Sequence, residues 1–317
     1  MTIDILEPGL LTTVQDRGRW GSQSLGVPVA GPMDDVSHQL ANLAVGNPAD
    51  CATLEVTLTG PTLEFRDDVS FAVTGAEFEL YLDQVVVPMG VACRARLGSV
   101  LRFGPRGAGA RAYLGVAGGI DVPPVLGSRS TDLASGFGGL GGRRLHAGDR
   151  LVMGPIARGS ARRVAPIAPL PLPDGGARVR TIETPHTEED GARCGEAALA
   201  GLMTTRFTVA ADSNRMAYRL SGPPLALVDE TSMLSAATPC GTVQVPPSGH
   251  PILLMADRQT TGGYPRIATV ISADLPLVGQ LAPGDWIRFE ACDRGSAVGA
   301  LIAQQQRLMA FTEWRTS

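Results

Sequence analysis

The chain has 317 residues and 27 basic positions, every one of them arginine, against 31 acidic ones, for a formal net charge of −4 and a pI near 5.6. Without lysine the chain cannot house a P-loop lysine, a Schiff-base or pyridoxal amine or a biotinylated side chain, so anions must be met by guanidinium forks, backbone N–H groups or a partner chain. Its arginines are scattered rather than gathered in a basic stripe, and no stretch approaches 18 uninterrupted apolar residues, so neither nucleic acid nor membrane is an expected partner.

Residues 1–8 lack the basic and long apolar segments of a signal peptide. The five cysteines (Cys51, Cys93, Cys194, Cys240, Cys292) are odd in number, widely spaced and free of C-x-x-C, as expected of reduced thiols in a cytoplasmic protein. Glycine (39) and proline (24) punctuate short β-branched runs at 11–14, 54–58, 69–74, 78–82, 85–87, 100–103, 111–116, 150–153, 179–183, 207–209, 242–245, 252–255, 267–271 and 286–289. Such spacing predicts a mainly β protein of barrels or sandwiches with a few short helices.

The first helix is expected at 36–45, capped by Asp34 or Asp35 and stopped at Gly46-Asn47-Pro48. A weaker one at 188–203 contains three glycines. Another, at 273–281, would have Ser272 as N-cap and Pro276 in its first turn, and a terminal helix at 296–314 carries apolar residues at helical spacing. The aperiodic Pro-, Ala- and Arg-rich stretch at 157–176 divides the chain, which gives a first domain at 1–157, a linker at 158–176 and a second domain with the terminal helix at 177–317. The halves echo each other: 58–63 resembles 220–225, 147–152 resembles 283–288, and Gly118-Gly119 has a counterpart in Gly262-Gly263. A duplicated β unit accounts for that order.

Three polar stretches are candidate sites. At 252–266 an apolar strand runs into Asp257, Arg258, Gln259, Thr260 and Thr261, then Gly262, Gly263 and Tyr264. It concentrates a carboxylate, a guanidinium, an amide and hydroxyls where a plain turn needs one or two such groups. Gln15-Asp16-Arg17 repeats this grammar, with an Asp16 pair to Arg17 or Arg19 equally able to serve as a loop clasp. Arg215 lies in a third polar turn. Other signals fail on context. Residues 136–141 match G-x-G-x-x-G without an entering strand, His186 with Glu188, Glu189 and Asp190 reads as a solvated loop rather than a metal site, and Cys240 reads as a bystander thiol.

The runs at 14–21, 26–47 and 244–271, above all Asp257-Arg-Gln-Thr-Thr-Gly-Gly-Tyr-Pro265, resemble the allophanate hydrolase subunit 2 family, also called biotin-dependent carboxyltransferases. That family includes the C-type subunit of 5-oxoprolinase and the antagonist of the sporulation kinase inhibitor. The resemblance implies two tandem cyclophilin-like β-barrel domains and a cytoplasmic, heteromeric, ATP-dependent system that hydrolyses an amide or lactam. It implies a subunit 1/B-type partner resembling the kinase inhibitor and, more loosely, an A-type subunit, with ATP bound by or shared with a partner and no biotin on this chain. Under it Asp257, Arg258, Gln259 and Thr260 are the catalytic candidates. Gln15, Asp16, Arg17, Arg215, Thr261, Gly262, Gly263 and Tyr264 are the substrate-binding candidates, and no metal is expected. The leading expectation is the C-type subunit of a 5-oxoprolinase, inactive alone. The alternatives are a urea-type carboxyltransferase or allophanate hydrolase component and a non-catalytic regulator. The chain departs from the family pattern at Pro32, Asn214 and Ala217, where Ala, Asp and Gly are common.

Overall fold

The computed structural model describes residues 1–156, 171–184, 191–228 and 234–313. Most of the linker, the cluster at His186 and Trp314 lie outside the described residues. The chain divides into two compact units, one of Met1–Trp20, Ala30–Leu172 and Gln306–Ser317, the other of Gly21–Val29 and Pro173–Gln305.

The first unit contains β1 (Thr2–Glu7), β2 (Leu11–Gln15), α1 (Asp35–Ala44), β3 (Thr53–Thr57), β4 (Thr62–Phe65), β5 (Val69–Gly75), β6 (Phe78–Leu82), β7 (Val85–Val87), β8 (Cys93–Ala95), β9 (Val100–Arg106), β10 (Arg111–Val116) and β11 (Arg150–Val152). They pair as a six-stranded sheet, β11-β1-β4-β9-β6-β7, and a five-stranded one, β2-β3-β10-β5-β8. Ile3, Ile5, Leu63, Phe65, Leu80 and Leu101 of the larger sheet share one core with Val14, Leu54, Val56, Phe71, Val73 and Leu114 of the smaller.

Strand β10 is buried along its whole length, which a strand with only one covered face cannot be. Helix α1 covers the second face. The cross-strand row Thr13, Glu55, Tyr113 and Thr74 lies there, one residue out of phase with Val14, Leu54, Leu114 and Val73. Helix α1 comes close because residue 115 is glycine: a Cβ there would stand 2.6 Å from the Ala41 carbonyl oxygen. Asp34 caps it by accepting from the Ser37 N–H at 2.9 Å. It ends in a Schellman pair, Asn47 N–H to Asn42 O and Gly46 N–H to Leu43 O, with Gly46 at φ 81°.

The second unit contains β12 (Gly176–Glu183), α2 (Gly191–Thr204), β13 (Arg206–Val209), β14 (Ala217–Ser221), β15 (Ala236–Ala237), β16 (Thr242–Gln244), β17 (Ile252–Leu254), β18 (Thr261–Gly262), β19 (Arg266–Val270), α3 (Leu275–Gly279), β20 (Trp286–Ala291) and α4 (Arg294–Glu313). Seven of the strands close a barrel, β12-β19-β16-β17-β14-β13-β20, filled by Val179, Phe207, Tyr218, Val243, Leu253, Ala268, Ile287 and Phe289. The mainly β expectation therefore holds. From Gln306 onward the described part of α4 groups with the first unit, where Leu308 joins the core.

Two helices differ from expectation. Gly195, at φ 65° and ψ 159°, breaks α2 into two pieces. The third helix begins as a 3-10 turn, Ser272–Asp274, and becomes α-helical only over Leu275–Gly279. Ser272 makes no capping bond, and Pro276, which needs no N–H partner, sits in the first helical turn.

Candidate functional site

In the second unit β17 leaves the barrel through Met255, Ala256 and Asp257, all buried. The Met255 N–H donates to Met216 O at 2.8 Å and the Asp257 N–H to Arg215 O at 2.9 Å, which prolongs the β14–β17 pairing to the strand end. Arg215 and Asp257 are each 3% exposed, and Arg215 donates Nε to Oδ2 at 2.9 Å and Nη2 to Oδ1 at 2.8 Å. This fork-to-fork pair satisfies both charges where water cannot. The sequence left Asp257 to orient Arg258 or act as a base; both of its oxygens are engaged by Arg215.

Arg258 follows, half-buried. Its Nε donates to Thr238 O at 2.7 Å and its Nη1 to Met255 O at 3.4 Å, and it has no carboxylate partner among the described residues. The guanidinium is thus anchored by neutral carbonyls and retains its charge for an anion. Gln259 and Thr261 are exposed, Thr260 is half-buried and Tyr264 is 44% exposed. Gly262 is buried where three side chains converge: a Cβ would meet Gln244 Nε2 at 2.6 Å, Gln259 Nε2 at 3.1 Å and Thr238 Cγ2 at 3.1 Å. Gln244 also donates to Tyr264 O at 3.4 Å. Two carboxamides and a guanidinium anchored on neutral carbonyls can together present N–H donors to a carboxylate, a phosphoryl oxygen or a polarised amide oxygen.

Thr238 and Gln244 were not singled out as site residues from the sequence. Both approach the site through strand pairing, β15 with β18 and β16 with β19, and local spacing carries no trace of that. Cys240 lies nearby. Desolvation pushes its thiol above the ordinary range while the Arg258 charge pulls the other way, which does not suit a nucleophile at neutral pH.

The first unit holds the other polar stretch. Gln15, fully buried at the end of β2, donates Nε2 to Thr13 Oγ1 at 3.1 Å and Thr131 O at 3.2 Å. The Asp16 pair with Arg17 or Arg19 that the sequence left open gives way to another arrangement. Asp16 accepts from Ser128 Oγ at 2.5 Å, the Arg129 N–H at 2.5 Å, Ser130 Oγ at 2.7 Å and the Gly18 N–H at 2.9 Å. Burial pushes its carboxyl up, but these donors outweigh that and hold it below the ordinary value. Arg17 instead reaches Asp35 by two bonds of 3.2 Å, and Arg19, buried, donates to Ser130 O and stacks 4.7 Å from the Phe137 ring centroid.

Beneath α1 lies a buried polar layer that composition did not reveal. Glu55 accepts from Tyr113 Oη at 2.8 Å and the Met33 N–H at 2.9 Å, Tyr113 accepts from the Asp34 N–H at 2.8 Å, and His38 Nδ1 meets Thr53 Oγ1 at 2.9 Å. Desolvation lowers His38 and keeps it neutral, and desolvation followed by the Glu55 charge raises Tyr113 well above its ordinary value. The layer ties the start of α1 to the sheet. Among the described residues no group of three or more His, Cys, Asp or Glu could hold a metal ion, and no helix is long and apolar enough to cross a membrane.

Residues 25–291 match the carboxyltransferase domain, subdomain A and B. The chain is 41% identical to the C-type 5-oxoprolinase subunit of Escherichia coli K12 over 315 residues, 99% of this chain and 98% of that protein. It is 40% identical to the Haemophilus influenzae protein of the same name, over 91% of each. The crystal structure of the Kluyveromyces lactis urea amidolyase superposes with a TM-score of 0.88 at 30% identity, covering 98% of this chain and 20% of that one.

Proposed function

This chain belongs to the carboxyltransferase domain family, subdomain A and B, and on that footing we propose that it is the C-type subunit of a heteromeric, ATP-dependent 5-oxoprolinase. The observation that carries this reading is the 41% identity to a C-type 5-oxoprolinase subunit over almost the whole of both chains. The geometry supports it, because the lactam substrate and its ring-opened product both bear a carboxylate, and Arg258 is a fixed guanidinium without a carboxylate of its own among the described residues.

In this reading Arg258 binds the substrate carboxylate or the charge that develops on the amide oxygen, with Gln259, Thr260 and Thr261 as further donors. Asp257 and Arg215 hold the strand end from which Arg258 departs. ATP supplies the free energy that opening an unstrained lactam requires near neutrality. The partners are a subunit 1/B-type chain and an A-type chain, the assembly is cytoplasmic, and the isolated chain is inert.

The test is reconstitution. The chain mixed with its two partners should release glutamate from 5-oxoproline only when ATP is present, and a mixture that works fully without this chain would sink the proposal. The urea amidolyase likeness favours a second reading, a carboxyltransferase that takes carboxybiotin from a separate carrier. Incorporation of bicarbonate that avidin blocks would select it.

A further inference from the structure

We propose that Thr238 is a positioning residue that sets the Arg258 guanidinium, an inference that rests on the role given to Arg258 above. Thr238 is buried, and it is bonded to three consecutive residues of the candidate site. Its carbonyl oxygen accepts from Arg258 Nε at 2.7 Å, its Oγ1 donates to Gln259 O at 2.7 Å, and its N–H donates to Thr260 O at 3.1 Å. The flanking pairs Ala236 with Gly262 and Ala237 with Thr261 continue the same ribbon, and Arg266 Nη1 closes it on Ala237 O at 3.0 Å. Neither β15 nor β18 belongs to the barrel. These bonds tie the segment to the loop, and the backbone oxygen that fixes the guanidinium is only as well placed as residue 238.

A guanidinium held by a short Nε bond to Thr238 O and a long 3.4 Å Nη1 bond to Met255 O follows the Thr238 carbonyl when that carbonyl shifts. The Oγ1 bond to Gln259 O restrains that shift at its source, since it locks residue 238 to the residue that follows the arginine. A hydroxyl is needed and a methyl is not, so Thr238→Val, nearly equal in shape, removes the bond without opening a cavity.

The experiment is a double-mutant cycle in the assembly reconstituted with its partners. T238V should lower kcat/KM for 5-oxoproline by at least about tenfold, as a small misplacement of a binding group does. T238S, which keeps the hydroxyl, should recover most of the loss. In an R258A background T238V should change the residual rate by less than about twofold, because T238V acts only through the guanidinium that R258A has already removed. Full activity in T238V, or a loss that simply multiplies with that of R258A, overturns the proposal. If T238V fails to fold, T238A carries the same cycle.

Amide exchange on the isolated chain supplies a readout that does not depend on the reaction. Residues 236–238 and 259–262 should exchange faster in T238V, with the barrel strands and T238S unchanged. If the assembled wild type opens no lactam, the proposed function fails on its own account, and unaltered exchange in T238V would still overturn the role of Thr238.

Discussion

Two arginines of one unit have opposite circumstances. Arg215 is sealed against Asp257, while Arg258, half-buried, rests on backbone carbonyls. Their substitutions should therefore fail differently. R258A should leave stability near wild type and cut kcat/KM of the assembly by on the order of 100-fold, the usual cost of losing one charged donor at a reacting group. R258K should recover little of that, because an ammonium cannot hold Thr238 O and present a planar fork together. R215A should instead remove the fork that both Asp257 oxygens accept, and breaking a buried ion pair from one side costs about 3–5 kcal/mol. Urea midpoints for the isolated chain check that figure, and R215M/D257L, which removes both charges, should regain much of the loss. An R215A chain as stable as wild type would mean that the pair contributes nothing to the strand end.

At the level of elements, the Asp16 clasp joins the end of β2 to the 128–130 turn, and it titrates. Its folded carboxyl lies below the ordinary value of about 3.9, so its contribution is complete above that value and disappears as pH falls through the folded pKa. D16N should therefore lower stability at pH 7 by about 1–3 kcal/mol, the cost of losing charge-assisted hydrogen bonds in a buried setting. The gap between D16N and wild type should close below about pH 4. A gap that stayed constant down to pH 2 would contradict the clasp. The ribbon offers a second test. G262A brings a Cβ to within 2.6 Å of Gln244 Nε2, so the carboxamides must move, and activity of the assembly should fall more than melting temperature does. The helices show how far local signals reach. Asp34, Gly46 and the apolar stripe of α1 were all legible, because a cap and a Schellman turn are completed within about six residues. Neither β15 nor β18 was, since each is two residues long and exists only by pairing with the other across more than twenty positions. Ser128, Arg129 and Ser130 as donors to Asp16 were hidden for the same reason: they lie more than a hundred residues downstream.

Across the whole chain, the echo between 147–152 and 283–288 is a shared turn, with parallel bonds in both copies. Gly148 and Gly284 stand at φ 88° and 93°, Asp149 and Asp285 accept from the N–H of His146 and Ala282, and Gly148 and Gly284 donate to Ile5 O and Val209 O. The Gly-Gly echo is looser, because Gly118 and Gly119 have positive φ and Gly262 and Gly263 do not. The two halves thus share a turn that joins strands and differ at the Gly-Gly loop. Composition then bears on chemistry. With 27 arginines and no lysine, an amine-acylating reagent can modify only the N-terminal amine, whereas an arginine-selective dicarbonyl finds many targets. Among the described arginines with no carboxylate partner, Arg258 combines partial burial with a fixed orientation. Acylating the isolated chain before assembly should therefore leave the reconstituted activity intact, and dicarbonyl treatment should abolish it. Protection by 5-oxoproline in the assembled complex, tracked by peptide mapping, should fall on Arg258. Equal labelling of Arg258 with and without the lactam, at saturating concentration, would place the substrate carboxylate elsewhere.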